Sequence, residues 1–285
     1  MKTDSPPSRR ALRWREPSVL PGFIPSFGFV VVYLSLIVLI PLAALVARPW
    51  ERGIGGFLRT VTDARVVAAL QLSFTSALLA ALVSALMGLV TAWVLTRYDF
   101  PLRSLLDAAI DLPFALPTAV AGIALATLYG AHGWIGGRIE PLGLKIAYAP
   151  AGVFVALLIV GLPFVVRSVQ PVLADFEAEA EEAALTLGAH PGQIANRVIL
   201  PALAPALLSG FSLAFARAVG EYGSVIFIAG NMPMRSEIAP LLIITKLEQF
   251  DYAGAAAIGL VMLVLSFGSL LVLNRLQLAL SRRGV

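Results

Sequence analysis

Residues 182–201 read EAALTLGAHPGQIANRVILP. This stretch is mostly helix-forming, and in or just before it the chain carries five acidic residues, Asp175, Glu177, Glu179, Glu181 and Glu182. The segments on either side are far too apolar for a soluble protein. Because charged side chains are expensive to place in hydrocarbon, an acidic interruption of about 30 residues must lie outside the lipid. The stretch therefore separates membrane-spanning segments before and after it.

The composition is that of an integral membrane protein. Of 285 residues, 59% are hydrophobic and 13% charged, and the mean hydropathy is +0.87, outside the usual soluble range. The absence of cysteine excludes a disulfide framework and thiolate chemistry. The two histidines, His132 and His190, are too far apart to suggest a metal site. The net charge of +4 comes largely from basic residues at the ends of apolar runs, so we expect no nucleic-acid partner.

Six apolar runs predict six transmembrane helices, each of roughly the 20 residues needed to cross about 30 Å of hydrocarbon. We place them at 22–47, 67–96, 105–129, 150–170, 203–229 and 252–280. Helices are expected because lipid offers the backbone no hydrogen-bond partners. The predicted organisation is a cytoplasmic segment at 1–21, a permease-sized transmembrane domain at 22–280 that includes the acidic loop at about 171–201, and a cytoplasmic tail at 281–285.

The distribution of lysine and arginine predicts the orientation. With the N-terminus inside, the inner segments hold 12 of these residues and the outer loops 8, a bias that favours both termini in the cytoplasm. A basic first outer loop, with Arg48, Arg52, Arg59 and Arg65, weakens this count. The acidic loop is then cytoplasmic, and the loops at 130–149 and 230–251 face outward. No apolar stretch of 7–15 residues precedes Trp14, so the start of the chain is not typical of a cleaved signal peptide.

The acidic loop itself predicts a helix, a turn and a second helix. The run DFEAEAEEAALTLGAH is rich in Glu, Ala and Leu, and Gly188 allows a sharp turn. The second helix is expected from about Pro191 to Ile199, with Pro191 suited to its first turn. Such a hairpin either connects two spans or protrudes into a groove on a soluble partner.

A family resemblance favours the second interpretation. Glu182, Ala183, Ala184, Gly188 and the ending Val198-Ile199-Leu200-Pro201 resemble the EAA loop of ABC-importer permeases, with Val198 where that pattern usually has Ile. The runs LTRYDFPLRSLLDAAIDLPFALPTAVAG, PFVVRSVQPVL and RAVGEYGSVIFIAGN, followed by EQFDY, are similar to the sulfate/thiosulfate permeases of the CysT (CysU) type. The similarity extends from about Leu20 to Leu278. Molybdate permeases share the Gly-Glu-aromatic-Gly part of the pattern.

The resemblance implies an all-α membrane protein with six transmembrane helices in the type I ABC importer fold. It implies a second, non-identical permease of the CysW type, two ATP-binding subunits of the CysA type on the inner face, and an external sulfate-binding protein. ATP and Mg would belong to the ATP-binding subunits, and this chain has no GxxxxGK[ST] stretch, so we expect neither an enzyme nor a cofactor in it. The expected location is the cell inner membrane. The residues implied in ATPase coupling are Glu182, Ala183, Ala184, Gly188 and Pro201.

Ionisable residues inside the spans are candidates for a translocation pathway. Arg217 and Glu221 lie four apart on the fifth span and should project from one helical face. Either they form an ion pair that locks the helix, or Arg217 supplies positive potential for a divalent anion while Glu221 holds its geometry. Asp107 and Asp111 are also four apart. We expect them to cap the cytoplasmic end or to pair with Arg97 or Arg103, with Asp111 kept as a pathway candidate.

Pro113 and Pro117 should interrupt the third span and leave backbone groups near Phe114, Thr118 and Gly122 without regular partners. A dehydrated oxyanion could use these groups and the Thr118 hydroxyl. A kink that only shapes packing is the alternative. Arg167, at the inner end of the fourth span, is expected to be an interfacial anchor.

Two other function classes fit less well. A secondary transporter would show an internal repeat with matched broken helices, and although the third and fifth spans are both interrupted, the halves are not similar. An intramembrane protease would need two Asp on facing helices or a Ser/His pair, whereas Asp107 and Asp111 share one helix. The residues leave open the preference among sulfate, thiosulfate, molybdate, selenate and tungstate.

Overall fold

A computed structural model describes residues 23–176 and 178–281, and the regular structure in these two ranges is entirely helical. The α-helices are α1 Phe23–Leu34, α2 Ile40–Ala47, α3 Gly53–Val61, α4 Ala64–Arg97, α5 Arg103–Ile110, α6 Leu112–Ala115, α7 Thr118–Tyr129, α8 Gly136–Ile139, α9 Pro150–Ala174, α10 Ala178–Thr186, α11 Pro191–Ile194, α12 Leu200–Val219, α13 Val225–Ala229, α14 Ala239–Glu248 and α15 Tyr252–Ser281. Short π-helical stretches occur at Ser35–Leu39 and Ala195–Ile199, and 3-10 stretches at Arg48–Arg52 and Glu140–Leu142. The predicted cytoplasmic segment at 1–21, Glu177 and the last four residues of the predicted tail lie outside the described residues.

The chain divides into two compact units, one up to Ala44 and one from Leu45. In the first unit, every α1 side chain whose burial the structure describes is exposed, and the helix carries stacked aromatic pairs, Phe23 with Phe27 and Phe29 with Tyr33. An apolar helix without a polar face is the form that lipid stabilises. The sequence therefore predicts correctly an apolar helix at the start of the region 22–47.

The core of the second unit is built by α4, α9 and α12. The buried face of α4 consists mainly of small residues spaced three or four apart, namely Ala77, Ala80, Ala81, Ser84, Gly88 and Ala92. A Cβ on Gly88 would lie 2.7 Å from the Cβ of Val165 on α9, and a Cβ on Gly210 of α12 would lie 2.8 Å from the Val165 Cα. Helices in membranes associate by such close packing of small residues, because lipid provides no hydrophobic drive.

Five helical segments of the described ranges are long and apolar enough to cross a membrane. They are Pro25–Val61, Ala64–Arg97, Pro150–Ala174, Pro191–Val219 and Tyr252–Leu278. The third predicted span, 105–129, is instead divided into α5, α6 and α7. The expected interruption is thus confirmed, and only Thr118–Tyr129 remains as a shorter apolar helix.

The two prolines account for this interruption. Pro113 occupies the first turn of α6, where its missing N–H is harmless. Pro117 forces Leu116 into an extended conformation (φ −82°, ψ 136°), which ends α6 before α7 starts.

The fifth span begins earlier than the apolar pattern predicts. The expected start was residue 203, with Pro191–Ile199 as a separate second helix of the acidic loop. In the structure α11, the π-helical stretch and α12 run on without a turn from Pro191 to Val219. The predicted second helix is therefore the first part of the span itself. The chain then leaves the helix at Gly220 and resumes helical structure only in α13.

Ion pairs link distant segments at the two ends of the helices. At one end, Arg52 pairs with Asp251 and Arg65 with Glu237. At the other end, Arg97 at the end of α4 pairs with Glu181 on α10. The residues expected in the first and third outer loops thus meet at one end, and the acidic loop meets the end of α4. This grouping agrees with the order of spans that the sequence predicts.

Candidate coupling loop and membrane pathway

The acidic loop contains a hydrogen-bonded turn between α10 and α11. Gly188 has a left-handed backbone (φ +83°), and its N–H donates to the Leu185 carbonyl at 2.9 Å. The Ala189 N–H donates to the Ala184 carbonyl at 3.0 Å. These two bonds form the Schellman arrangement that ends many helices, for which glycine is the favoured residue. Sequence reasoning placed this turn correctly.

His190 fixes the start of the following helix. Its Nδ1 accepts the Gly192 N–H at 3.1 Å, and its own N–H donates to Gln193 Oε1, also at 3.1 Å. This reciprocal cap satisfies backbone donors that an uncapped helix would expose. Sequence reasoning considered His190 only as a metal ligand and missed this cap, because histidine is not among the common capping residues.

The side of the acidic loop that does not pack against the core is exposed and accessible to a partner protein. Leu187 at the turn is 88% exposed, and Glu182, Ala183 and Gly188 are exposed beside it, whereas Ala184 packs against the core. A Cβ on Gly188 would have no neighbour within 4 Å. Pro201 lies apart from this surface, in the first turn of α12. The structure therefore brings together four of the five expected coupling residues and separates the fifth.

Arg97 ties the acidic loop to α4. Its Nη2 donates to Glu181 Oε1, and its guanidinium lies over the Trp93 ring, 5.5 Å from the centroid. Sequence reasoning missed this pair because its members are 84 residues apart, so no spacing within one helix connects them.

Arg167 on α9 holds the interrupted third span. Its Nε and Nη2 donate to the two carboxylate oxygens of Asp111 at 2.9 and 2.6 Å. Its Nη1 donates to Asp107 Oδ1 at 2.7 Å and to Gln170 Oε1 at 2.6 Å. Such a bidentate guanidinium–carboxylate pair with further hydrogen bonds is among the stronger polar contacts in proteins.

The expected partners of Asp107 and Asp111 were therefore wrong. Arg103 pairs with Asp99 one turn away, and Arg97 is engaged by Glu181. Asp107 and Asp111 do share one side of the chain, as their spacing predicts. They turn that side to α9, where Arg167 is more than an interfacial anchor because it binds both carboxylates.

The two interrupted spans cross in direct backbone contact. A Cβ on Gly122 of α7 would lie 2.8 Å from the Ser224 Cα, and a Cβ on Gly223 would lie 3.1 Å from the Thr118 Cβ. The glycines thus allow the start of α7 to pass against the segment between α12 and α13. Thr118, a pathway candidate, is placed at this crossing. The Phe114 N–H, however, is not free as expected, since it donates to the Asp111 carbonyl at 2.9 Å.

Glu221 caps the interrupted segment and binds Arg217. Its carboxylate accepts the Ser224 N–H and the Ser224 hydroxyl, both at 2.9 Å, and its other oxygen pairs with Arg217 Nη1. Glu221 is only 1% exposed, whereas Arg217 remains 38% exposed. The pair expected from the sequence is present, but Glu221 lies beyond the end of α12 at Val219, so the pair spans a helix end and not a helical face. Sequence reasoning missed Ser224, because a Glu followed three residues later by a Ser is the reverse of the capping-box order and predicts no such contact.

Solved structures similar in fold to this chain include ABC importers. The crystal structure of a bacterial ABC transporter for the acidic polysaccharide alginate matches with a TM-score of 0.75 at 14% identity, over 90% of this chain and 94% of that one. An inward-facing methionine transporter, MetNI, matches with a TM-score of 0.53 at 19% identity, over 74% and 96%. The fold is therefore that of the type I ABC importer permeases.

The family model "Binding-protein-dependent transport system inner membrane component" matches residues 84–283. The chain belongs to this family of membrane transport subunits. It is 45% identical over 267 residues to the sulfate transport system permease protein CysT of Escherichia coli K12, which covers 94% of this chain and 96% of that protein. It is 50% identical over 252 residues to the CysT protein of Synechococcus elongatus, with 88% and 91% covered.

Proposed function

We propose that this protein is the permease subunit of an ATP-driven importer and forms the membrane pathway for sulfate and thiosulfate. The observation that carries the proposal is the 45–50% identity to sulfate permeases from Escherichia coli and Synechococcus elongatus over nearly nine-tenths of the chain or more. The type I importer fold supports it independently, because that fold is built for transport and not for catalysis within the chain.

The exposed turn of the acidic loop supports docking of a separate ATP-binding subunit. A helix end that presents Leu187 and an unobstructed glycine backbone provides a small protruding surface that a groove can accept. Glu182, Ala183 and Gly188 form this surface together with Leu187, Ala184 packs beneath it, and Pro201 lies apart in the first turn of α12. ATP and Mg belong to the partner, which we propose is of the CysA type.

The remaining partners follow from the same family. We propose a second permease of the CysW type and an external sulfate-binding protein. One solved neighbour is a bacterial alginate transporter in complex with its periplasmic protein, at 16% identity. We propose the inner membrane as the location, with both termini and the acidic loop in the cytoplasm.

The pathway is proposed to run past the crossing of the two interrupted spans. Thr118 offers a hydroxyl there, and the partly exposed Arg217 offers positive potential that Glu221 holds in position. Asp111 contributes indirectly, because a carboxylate repels a divalent anion but here orients Arg167.

A related oxyanion such as molybdate is the second candidate substrate. The stretch Gly220-Glu221-Tyr222-Gly223, whose last residue lies at the crossing, has the Gly-Glu-aromatic-Gly pattern that molybdate permeases share. A secondary transporter remains a distant alternative, because the coupling loop would then have no partner.

Deletion of the gene tests the proposal. Cells that lack this chain should not grow on sulfate as sole sulfur source and should lose uptake of labelled sulfate, while growth on cysteine is unchanged. Competition by thiosulfate but not by molybdate would support the sulfate assignment. Unchanged sulfate uptake in the deletion strain, with loss of molybdate uptake, would assign the chain to the second substrate.

A further inference from the structure

The predicted first outer loop is rich in basic residues, although the orientation rule places most Lys and Arg residues in cytoplasmic loops. The first outer loop contains Arg48, Arg52, Arg59 and Arg65, although outer loops of membrane proteins are usually poor in Lys and Arg. Three of these arginines, Arg52, Arg59 and Arg65, line one pocket together with Lys246. The excess of positive charge is therefore gathered at one place and not spread along the loop.

The pocket is concave and polar. Its volume is about 320 Å³, at the small end of the range for ligand sites, ~300–1,000 Å³. Its basic side chains come from four elements, namely the 3-10 stretch Arg48–Arg52, α3, α4 and α14, and converge on the same space. Thr60 and Asp63 complete the polar part of the wall, and Val66 and Leu242 the apolar part.

The charges at the pocket do not cancel. Asp251 is shared by Arg52 at 2.8 Å and Lys246 at 3.1 Å, and Arg65 binds both oxygens of the buried Glu237 at 2.7 Å. With Asp63, three carboxylates face four cations, which leaves a net charge of one positive. No carboxylate of the described ranges lies within ion-pair distance of Arg59, whose Nε donates to the Gly55 carbonyl at 3.2 Å.

The surrounding backbone holds this arrangement in place. Burial opposes the charge on Asp251, but the Gly254 N–H at 2.9 Å, Lys246 and Arg52 outweigh it and hold the pKa of the carboxyl below its ordinary value. A Cβ on Gly254 would lie 2.7 Å from the Asp251 Cγ, so a larger residue there would push the carboxylate from its place. A Cβ on Gly56 would lie 2.6 Å from the Arg52 Cβ, so glycine also leaves room for the arginine stem. The basic side chains that donate to Asp251 are therefore held in place. The guanidinium group of Arg59 remains available to a ligand.

We propose that this pocket binds a small divalent oxyanion, such as sulfate, at the outer end of the permease. The inference rests on the proposed function and orientation, and it adds a binding site outside the membrane pathway. Converging guanidinium groups in a concave wall match a compact tetrahedral anion, since planar N–H forks bind such oxygens in pairs. A partner protein with a flat acidic surface would contact only the exposed rim of the pocket and not its wall. Captured anion would raise the local substrate concentration at the entrance of the pathway.

The absence of cysteine allows a local test. Thr60→Cys is introduced into the complete importer, without its external binding protein, in nanodiscs of phosphatidylcholine. The measured quantity is the rate at which this chain reacts with an anionic methanethiosulfonate reagent, in sodium sulfate or in sodium chloride of equal ionic strength. Sulfate should slow the reaction by about three- to tenfold relative to chloride, because it occupies the site that attracts the reagent.

Matched variants locate the effect. Arg59→Gln should abolish the protection by sulfate, because it removes the pocket cation for which no carboxylate of the described residues lies within ion-pair distance. Arg138→Gln removes another outer-loop arginine, one that donates to the Trp134 carbonyl and does not line the pocket, and it should leave the protection unchanged. Equal labelling rates in sulfate and chloride would overturn the proposal. Protection that appears only when phosphatidylglycerol or sulfate-free binding protein is added would also overturn the proposal. The pocket would then be occupied by a lipid headgroup or by a protein.

Sulfate uptake by the same complexes, measured with binding protein present, separates this inference from the proposed function. Sulfate uptake by complexes whose cysteine labelling is not slowed by sulfate would contradict the anion site and leave the proposed function standing. Labelling that is slowed by sulfate in complexes that take up no sulfate would support the anion site and contradict the proposed function.

Discussion

Gly188 is the residue on which the shape of the coupling loop depends. Its left-handed backbone is strained for any other residue by about 1–2 kcal/mol, and the open space beside it is where the partner is expected. Gly188→Trp should therefore insert into the membrane normally but lose sulfate uptake by at least about tenfold, equivalent to roughly 1.4 kcal/mol of lost docking. Co-purification of the ATP-binding subunit should fall in parallel.

Gly143 supplies the matched control for this substitution. It has nearly the same backbone (φ +85°) and equally open surroundings, but lies in the loop expected to face outward. Gly143→Trp should carry the same strain and retain uptake. Wild-type uptake and unchanged ATPase co-purification in Gly188→Trp would show that the loop is only a connector.

Arg217 and Glu221 form the second prediction at the scale of single residues. Glu221→Ala strands the Arg217 charge and leaves the Ser224 N–H and hydroxyl without their acceptor, so the amount of folded protein should fall sharply. Leaving the buried donors of Ser224 without their acceptor costs about 1–3 kcal/mol. Glu221→Gln keeps an acceptor for Ser224 and should be milder. The double variant Arg217→Met with Glu221→Gln should recover most of the folded protein, measured by gel filtration in detergent.

Sulfate uptake by the double variant separates the two roles of the pair. If Arg217 serves the pathway, the variant inserts normally yet moves little sulfate, because the potential that favours a divalent anion is gone. Normal uptake would reject the pathway role and leave a structural ion pair.

At the scale of elements, the crossing of the two interrupted spans tolerates no added atoms. Gly122→Ala places a methyl group 2.8 Å from the Ser224 Cα, so the two backbones must separate. Overpacking of this kind costs about 1–3 kcal/mol, and the Tm of the complex should fall.

Gly268→Ala is the control, since Gly268 lies within α15 with no atom near a new Cβ. That change should be neutral or stabilising by up to about 1 kcal/mol, as expected for Gly to Ala in a helix. Equal Tm values for the two variants would contradict the close crossing.

The same elements show what the sequence can and cannot predict. Pro113 and Pro117 act on their own neighbours, so the interruption they cause is visible in the sequence. The partner of Asp111 is 56 residues away on another helix, and only the fold decides that it is Arg167 and not Arg103. The start of the fifth helical segment was missed for a related reason, because Pro191–Ile199 is polar enough for a loop, yet in the structure it runs on into α12.

At the scale of the whole molecule, the orientation in the membrane can be tested with two exposed leucines. Leu142, 76% exposed in the loop expected outside, and Leu187 at the coupling turn suit single cysteines because the chain has none of its own. Leu142→Cys should react with an impermeant thiol reagent in intact cells. Leu187→Cys should react only in inverted vesicles stripped of peripheral subunits. Labelling of both positions in intact cells would reject the topology.

The π-helical stretch Ala195–Ile199 has a consequence for how the chain length can change. A π-turn closes with one residue more than an α-turn, so deleting one residue there restores ordinary α-helix without rotating the segments on either side. A deletion of one residue within α12 itself would rotate the part of the helix that follows it by about 100° about the helix axis. The joint between the coupling turn and the fifth span is thus a place where the chain can lose one residue without rotating Arg217 relative to the coupling turn.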